Sequence, residues 1–221
     1  MQIAIALYPG FTALDAIGPY QVLSLLPGAA PVFTAVKAGP LKDDTVLTVQ
    51  IDTPIADLPA PDIIVVPGGL GTRRLVMDGD PLIDWIRSVH ATTTWTTSVC
   101  TGSLLLAAAG VLDGIDATTH WLSYAWLERL GAKPTAERVV RRGKVITAAG
   151  VSAGIDMGLV LANEIAGPDI AQAIQLGIEY DPQPPFDSGS PAKAPTAITD
   201  LVRSLMTASE QRIVSGTPAG S

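Results

Sequence analysis

Apolar residues in this chain come in short unbroken runs closed by glycine or proline, and these alternate with stretches of helical periodicity. Residues 2–8 form the first run and end at Pro9-Gly10, the pattern of a buried strand. A helix is expected in the middle of residues 11–26, stopping at Pro27. Residues 32–38 and 45–51 are β-rich and flank the polar stretch 39–44, which predicts a strand and an edge hairpin. Residues 62–66 read as a second buried strand and run into Pro67-Gly68-Gly69-Leu70-Gly71. Residues 81–91 place Leu82, Ile83, Trp85, Ile86 and Val89 on or near one helical face. Residues 92–99 are β-branched or aromatic except Ser98, the signature of a strand, and 103–109 are strong helix formers closed by Gly110. A helix over 122–130 and a hairpin over 138–150, its tip at Arg141-Arg142-Gly143-Lys144, come next. Helices over 152–165 and 169–178 follow them. The Pro-rich stretch 180–195 lacks periodicity and predicts an extended arm; 196–212 predicts a short amphipathic helix, and a loose tail ends the chain.

Strands alternating with helices through short turns predict an α/β fold: one domain with a mostly parallel sheet sandwiched by helices. The expected boundary leaves residues 1–195 as this domain and 196–221 as a C-terminal helix and tail. At 221 residues and 48% apolar composition the chain can bury a sizeable core. Its net charge of −7 argues against a nucleic-acid or anionic-membrane surface. The longest apolar run, 104–112, contains a glycine and is too short to span a bilayer. No basic leader precedes the first strand, and the single cysteine forms no internal disulfide, so a cytoplasmic location is expected.

The candidate chemistry sits where strands end. Between strand and helix, Cys100-Thr101-Gly102 must turn sharply, the geometry of a nucleophile elbow that exposes one reactive side chain. A thiol at a helix N-terminus is expected to be acidified below its free value by backbone N–H groups and the dipole. The alternative for a lone cysteine is a small buried hydrophobe. Asp15 lies where the chain enters its first helix, either as an N-cap or as a carboxylate delivered just beyond the first strand. The Gly68-Gly69-Leu70 turn lacks the Lys-Ser/Thr of a phosphate loop. It is either a simple tight turn or a place where the Gly69 and Leu70 N–H groups bind developing negative charge. Ligands outside the carboxyl ends of parallel strands would meet all three segments.

Val65-Val66-Pro67-Gly68-Gly69, Ser98-Val99-Cys100-Thr101-Gly102-Ser103, Ala117-Thr118-Thr119-His120-Trp121 and Ala153-Gly154-Ile155-Asp156 resemble the motifs of the ThiJ/PfpI superfamily over roughly residues 1–195. The resemblance implies a flavodoxin-like, class-I glutamine-amidotransferase-like fold with a cysteine elbow. Leu14-Asp15, Gly18-Pro19, the Cys-Thr-Gly elbow and the segment from Glu179 to Phe186 look most like the superfamily's isonitrile-hydrating branch. That branch implies Cys100 as nucleophile, Asp15 as proton carrier and Thr101 as its partner. It also implies a neutral isonitrile as substrate, a homodimer, and no metal or organic cofactor. His120 is either a participant beside the cysteine or a hydrogen-bonded residue at a helix start. The superfamily's proteases carry His where Thr101 stands, and many redox and glyoxalase-like members carry Glu where Asp15 stands. The transcription-factor members append a basic DNA-binding domain, for which residues 196–221 are too few. A glyoxalase-like carbonyl hydratase and a non-enzymatic redox or ligand sensor are the competing readings.

Overall fold

The computed structural model describes residues 1–214, with side chains to residue 208. These fall into two compact units, Met1–Ile178 and a second that begins at Glu179. The Pro-rich stretch therefore groups with the C-terminal helix and not with the α/β body.

The first unit is built on strands β1 (Gln2–Ala6), β2 (Ala30–Ala35), β5 (Thr53–Pro54), β6 (Ile63–Val66), β7 (Trp95–Val99), β10 (Val139–Arg142) and β11 (Val145–Ala148). They form one sheet in the order β10-β11-β7-β6-β1-β2-β5, parallel throughout except for β10 at one edge. The central strands β1 and β6 are buried on both faces, which is why their sequences are unbroken apolar runs without alternation. Helices α1 (Ala13–Leu23), α2 (Thr72–Asp78), α3 (Pro81–His90), α4 (Gly102–Ala108), α5 (Tyr124–Arg129), α6 (Ala153–Ala166) and α7 (Pro168–Gly177) complete the unit. Two small ribbons are separate from the sheet: the antiparallel β3 (Gly39–Lys42) with β4 (Thr48–Ile51), and the parallel β8 (Asp116–Ala117) with β9 (Lys133–Pro134). The second unit contains α8 (Thr196–Val214); the tail expected beyond it, residues 215–221, lies outside the described residues.

Three boundaries differ from the sequence pattern for local reasons. β7 begins at Trp95 and not at residue 92, because the Thr92 and Thr93 hydroxyls bond back to the Val89 and His90 carbonyls at the end of α3. Thr12 occupies the N-cap position of α1 without a side-chain cap bond, its hydroxyl donating to Asp44 instead, so Asp15 stands in the first turn of the helix and not in front of it. The short helix α2 had no clear periodic signal between Gly71 and Gly79.

Helices α1 and α6 approach closely through small residues. A β-carbon on Gly154 would stand 3.0 Å from Pro19, and one on Gly158 would stand 2.9 Å from Val22. This contact brings the N-terminal turns of both helices to the same end of the sheet. Replacing Gly158 by alanine inserts a methyl against the branched carbon of Val22. The expected cost is about 1–3 kcal/mol of unfolding free energy, read as a lowered urea midpoint, whereas Ala208→Ser on α8 leaves the first unit's transition in place.

Candidate active site

Strand register assembles the site. Val65 pairs with Ile5 and with Thr97, and Ala148 pairs with Val99. Four strands thus end nearly level, and the residues just beyond them lie side by side: Tyr8 after β1, Pro67-Gly68-Gly69 after β6, Cys100 after β7 and Val151 after β11. Asp15, in the first turn of α1, reaches the same rim.

Cys100 adopts φ of 56°, one of two non-glycine residues with positive φ among those described. Such a left-handed conformation costs about 1–2 kcal/mol for a residue with a β-carbon. Hydrogen bonds hold it there. Its N–H lies 3.0 Å from the Ala148 carbonyl and 2.9 Å from that of Ala149. Its own carbonyl accepts from the Ser103 hydroxyl at 3.1 Å and from the Thr119 hydroxyl at 3.0 Å. The side chain is 6% exposed. Burial pushes the thiol's pKa up, the Asp15 carboxylate pushes it further, and the Thr101 and Val151 N–H groups pull it the other way. The acidified thiol expected from the helix N-terminus is therefore not what the folded site provides: α4 has seven residues, and desolvation outweighs its N–H groups.

Asp15 is wholly buried. One oxygen accepts from the Gly68 N–H at 2.9 Å, and the other makes no hydrogen bond among the described residues. Desolvation raises its pKa to about 7, opposed by the Gly68 N–H and the Cys100 side chain and assisted by Asp44. Asp15 and Cys100 each shift the other, so they titrate as a pair.

Gly68 is the junction of the two. A β-carbon there would stand 2.5 Å from the Thr101 nitrogen, 2.7 Å from its hydroxyl and 2.8 Å from the Asp15 carboxylate. Only a glycine lets these three groups meet. The Thr101 hydroxyl accepts the Gly69 N–H at 3.0 Å and lies 2.9 Å from the Thr72 hydroxyl. The turn is tied to the segment after β1 by the antiparallel bridge of Phe11 with Gly69, in which the Thr12 N–H donates to the Gly68 carbonyl at 2.8 Å and the Leu70 N–H faces the Gly10 carbonyl, so the Gly69 and Leu70 N–H groups are both engaged within the protein. His120 caps the short 3₁₀ turn Trp121–Ser123, its Nδ1 accepting from the Leu122 N–H at 3.3 Å. Its ring lies against Gly150, beside Val151. Burial, then Arg73, lowers its pKa, which favours the neutral ring.

Residue patterns alone gave no sign of four further participants. Tyr8 and Thr72 are buried hydroxyls behind the Gly69 turn, 2.7 Å apart. Tyr8 closes an apolar run and reads there as core. Val151 contributes a backbone N–H, which no side-chain pattern encodes. Asp44 sits in the β3–β4 loop, accepts from the Thr12 hydroxyl at 2.6 Å and has its pKa raised by burial. Among the described residues no group of three His, Cys, Asp or Glu side chains is placed to hold a metal. No helix among them is long and apolar enough to cross a membrane.

Residues 1–164 match the model of the DJ-1/PfpI family. The chain belongs to the DJ-1/PfpI family. A relative from Pseudomonas putida, named isonitrile hydratase, is 46% identical over 92% of this chain and 89% of its own. A ThiJ/PfpI family protein from Pseudomonas syringae superposes with a TM-score of 0.87 at 36% identity, over 95% of this chain and 89% of that one. The transcriptional regulator CdhR of Pseudomonas aeruginosa is 29% identical over 75% of this chain, which spans only 51% of that regulator.

The raised pKa of Asp15 carries a stability consequence. The folded state holds the proton more tightly than the unfolded chain does. Its contribution is complete below the unfolded pKa near 4 and is lost as pH rises through about 7. The Asp15→Asn protein lacks this titration. The wild type should therefore lose on the order of 4 kcal/mol relative to Asp15→Asn between pH 4 and pH 8, as measured by urea unfolding across that range. Parallel pH dependences would show the carboxyl to be solvated.

Proposed function

We propose that this protein hydrates isonitriles to N-substituted formamides, with Cys100 as nucleophile and Asp15 as the single proton carrier. The observation that carries the reading is a buried carboxyl with pKa near 7 in electrostatic contact with the thiol on a strained elbow. The 46% identity to the Pseudomonas putida isonitrile hydratase supports it.

At neutral pH the pair has one proton in excess of full ionisation, on sulfur or on carboxylate. Sulfur attacks the terminal carbon of R–N≡C while that proton passes by way of Asp15 to the same carbon, giving the thioimidate R–N=CH–S. Asp15, now ionised, takes a proton from water as its oxygen adds to the carbon, and returns it to nitrogen. As the tetrahedral adduct collapses, Asp15 takes the hydroxyl proton and the carbon–sulfur bond breaks. The formamide leaves and the pair regains its proton. The Thr101 and Val151 N–H groups are the donors that hold negative charge on sulfur. Every transferred proton comes from the pair or from water. The substrate is neutral, which suits a site with one carboxyl beside the thiol and a second, Asp44, acting on that carboxyl.

His120 is assigned to capping the Trp121–Ser123 turn and walling Gly150, and not to proton transfer, since Asp15 already does the latter. A sensor reading is disfavoured because a thiol that is 6% exposed and raised in pKa resists oxidation.

Incubation with a simple alkyl isonitrile should give the formamide in stoichiometric yield by NMR. Cys100→Ser and Cys100→Ala should reduce the rate to background, and kcat/KM should rise with pH through about 7, following ionisation of the carboxyl. Conversion by Cys100→Ala at the wild-type rate would refute the nucleophile.

A homodimer and a cytoplasmic location belong to the same proposal. Ile198, Leu201 and Leu205 of α8 lie three and four residues apart and are 44–57% exposed, an apolar stripe that a second copy would cover. Sedimentation at micromolar concentration should give twice the chain mass, and Leu201→Glu with Leu205→Glu should give one.

A further inference from the structure

Behind the site lies a closed group of three hydroxyls. Thr72 is fully buried and Tyr8 is 2% exposed. The Thr72 hydroxyl is 2.7 Å from the Tyr8 hydroxyl, 2.9 Å from that of Thr101 and 2.8 Å from the Gly69 carbonyl. Tyr8 also reaches the Pro67 carbonyl at 2.9 Å, and Thr101 the Gly69 carbonyl at 3.3 Å.

Three protons must serve these five short contacts. The two carbonyls can only accept. Every contact open to the Thr101 proton, either Thr72 or the Gly69 carbonyl, points back into the group. Its oxygen meanwhile accepts the Gly69 N–H. The Thr101 hydroxyl therefore has no proton to give the reacting atoms. What Thr101 offers Cys100 is its backbone N–H. That N–H is held in place by a side chain tied to the Gly69 turn, and the Thr72 hydroxyl is the middle of the tie.

We propose that Thr72 is a positioning residue for the reaction, its buried hydroxyl bridging Tyr8 and Thr101 so that the Thr101 N–H stays aimed at the Cys100 sulfur. The proposal rests on Cys100 being the nucleophile of the proposed reaction. It gives the Gly71-Thr72 step after the glycine turn a specific task, which Thr72→Val removes while keeping the shape of the side chain.

The test uses two readouts on the full chain: iodoacetamide alkylation of Cys100 as a function of pH, which needs no isonitrile, and isonitrile turnover. The titratable groups coupled to Cys100 are Asp15 and Tyr8; Thr72→Val leaves the surroundings of Asp15 in place, and Tyr8, whose pKa burial holds well above its ordinary value, stays uncharged when it loses the Thr72 hydrogen bond. In Thr72→Val the Thr101 N–H loosens, the thiolate loses a donor, and the alkylation midpoint should move up by about one pH unit. The kcat should fall about tenfold while KM stays within twofold. Thr72→Ser restores the hydroxyl and should return both values to the wild type. Where Thr72→Val fails to fold, Tyr8→Phe removes the far end of the tie and should shift the midpoint in the same direction by a smaller amount. An unchanged midpoint overturns the proposal, even if turnover falls, because a general loosening of the fold would lower turnover alone. A shifted midpoint with wild-type kcat overturns it as well. If the wild type itself produces no formamide, the isonitrile reading fails and the alkylation arm alone decides whether Thr72 positions the Thr101 N–H.

Discussion

Everything at the rim depends on one backbone constraint, the left-handed turn at Cys100. A right-handed or extended residue there would swing the sulfur away from Asp15 and unhook the Cys100 carbonyl from Ser103 and Thr119. The surrounding structure opposes the strain of about 1–2 kcal/mol with hydrogen bonds on both sides of the residue, its N–H to the Ala148 and Ala149 carbonyls and its carbonyl from the Ser103 N–H and the Ser103 and Thr119 hydroxyls. Gly102 serves the same turn by a different route. A β-carbon at that position would lie 2.0 Å from the Val66 carbonyl, so α4 can start only where the side chain is absent. The elbow is thus clamped from β11, from the Thr118-Thr119 segment and from β6 at once.

The second constraint is electrostatic. Two acids share one dry space, and burial works on both in the same direction, against ionisation. The site answers with backbone N–H groups, Gly68 at Asp15 and Thr101 and Val151 at Cys100. This arrangement keeps a proton within the pair near neutral pH, and a reaction that must protonate carbon and then deprotonate water needs such a shared proton.

Much of this was legible in the residues. Buried strands without alternation, glycine and proline closures, and the strand-to-helix switch at Cys100 revealed the parallel sheet and the elbow. Asp15 was visible as a carboxylate at a strand exit, though its place inside the first helical turn was not, because the helix already begins after Thr12. Tyr8, Thr72, Val151 and Asp44 were not legible. Their roles come from strand register and from backbone atoms, and a tyrosine or threonine next to an apolar run reads as core. The thiol's acidity belongs with these: proximity to a helix start is written in the chain, whereas the desolvation that raises its pKa is a property of the assembled site.

The Asp44 hairpin has an implication for how such an enzyme could be retuned. Gly68 and Gly102 leave no room for substitution at the reaction centre, since any side chain there collides with backbone or with the acting groups. The β3–β4 loop is different. Val46 is 86% exposed, yet Asp44 two residues away acts on the carboxyl of Asp15 through space. Variation in that loop can reset the acidity at which the chamber works without touching its walls, so adaptation to a different working pH has an accessible route that leaves the chemistry intact.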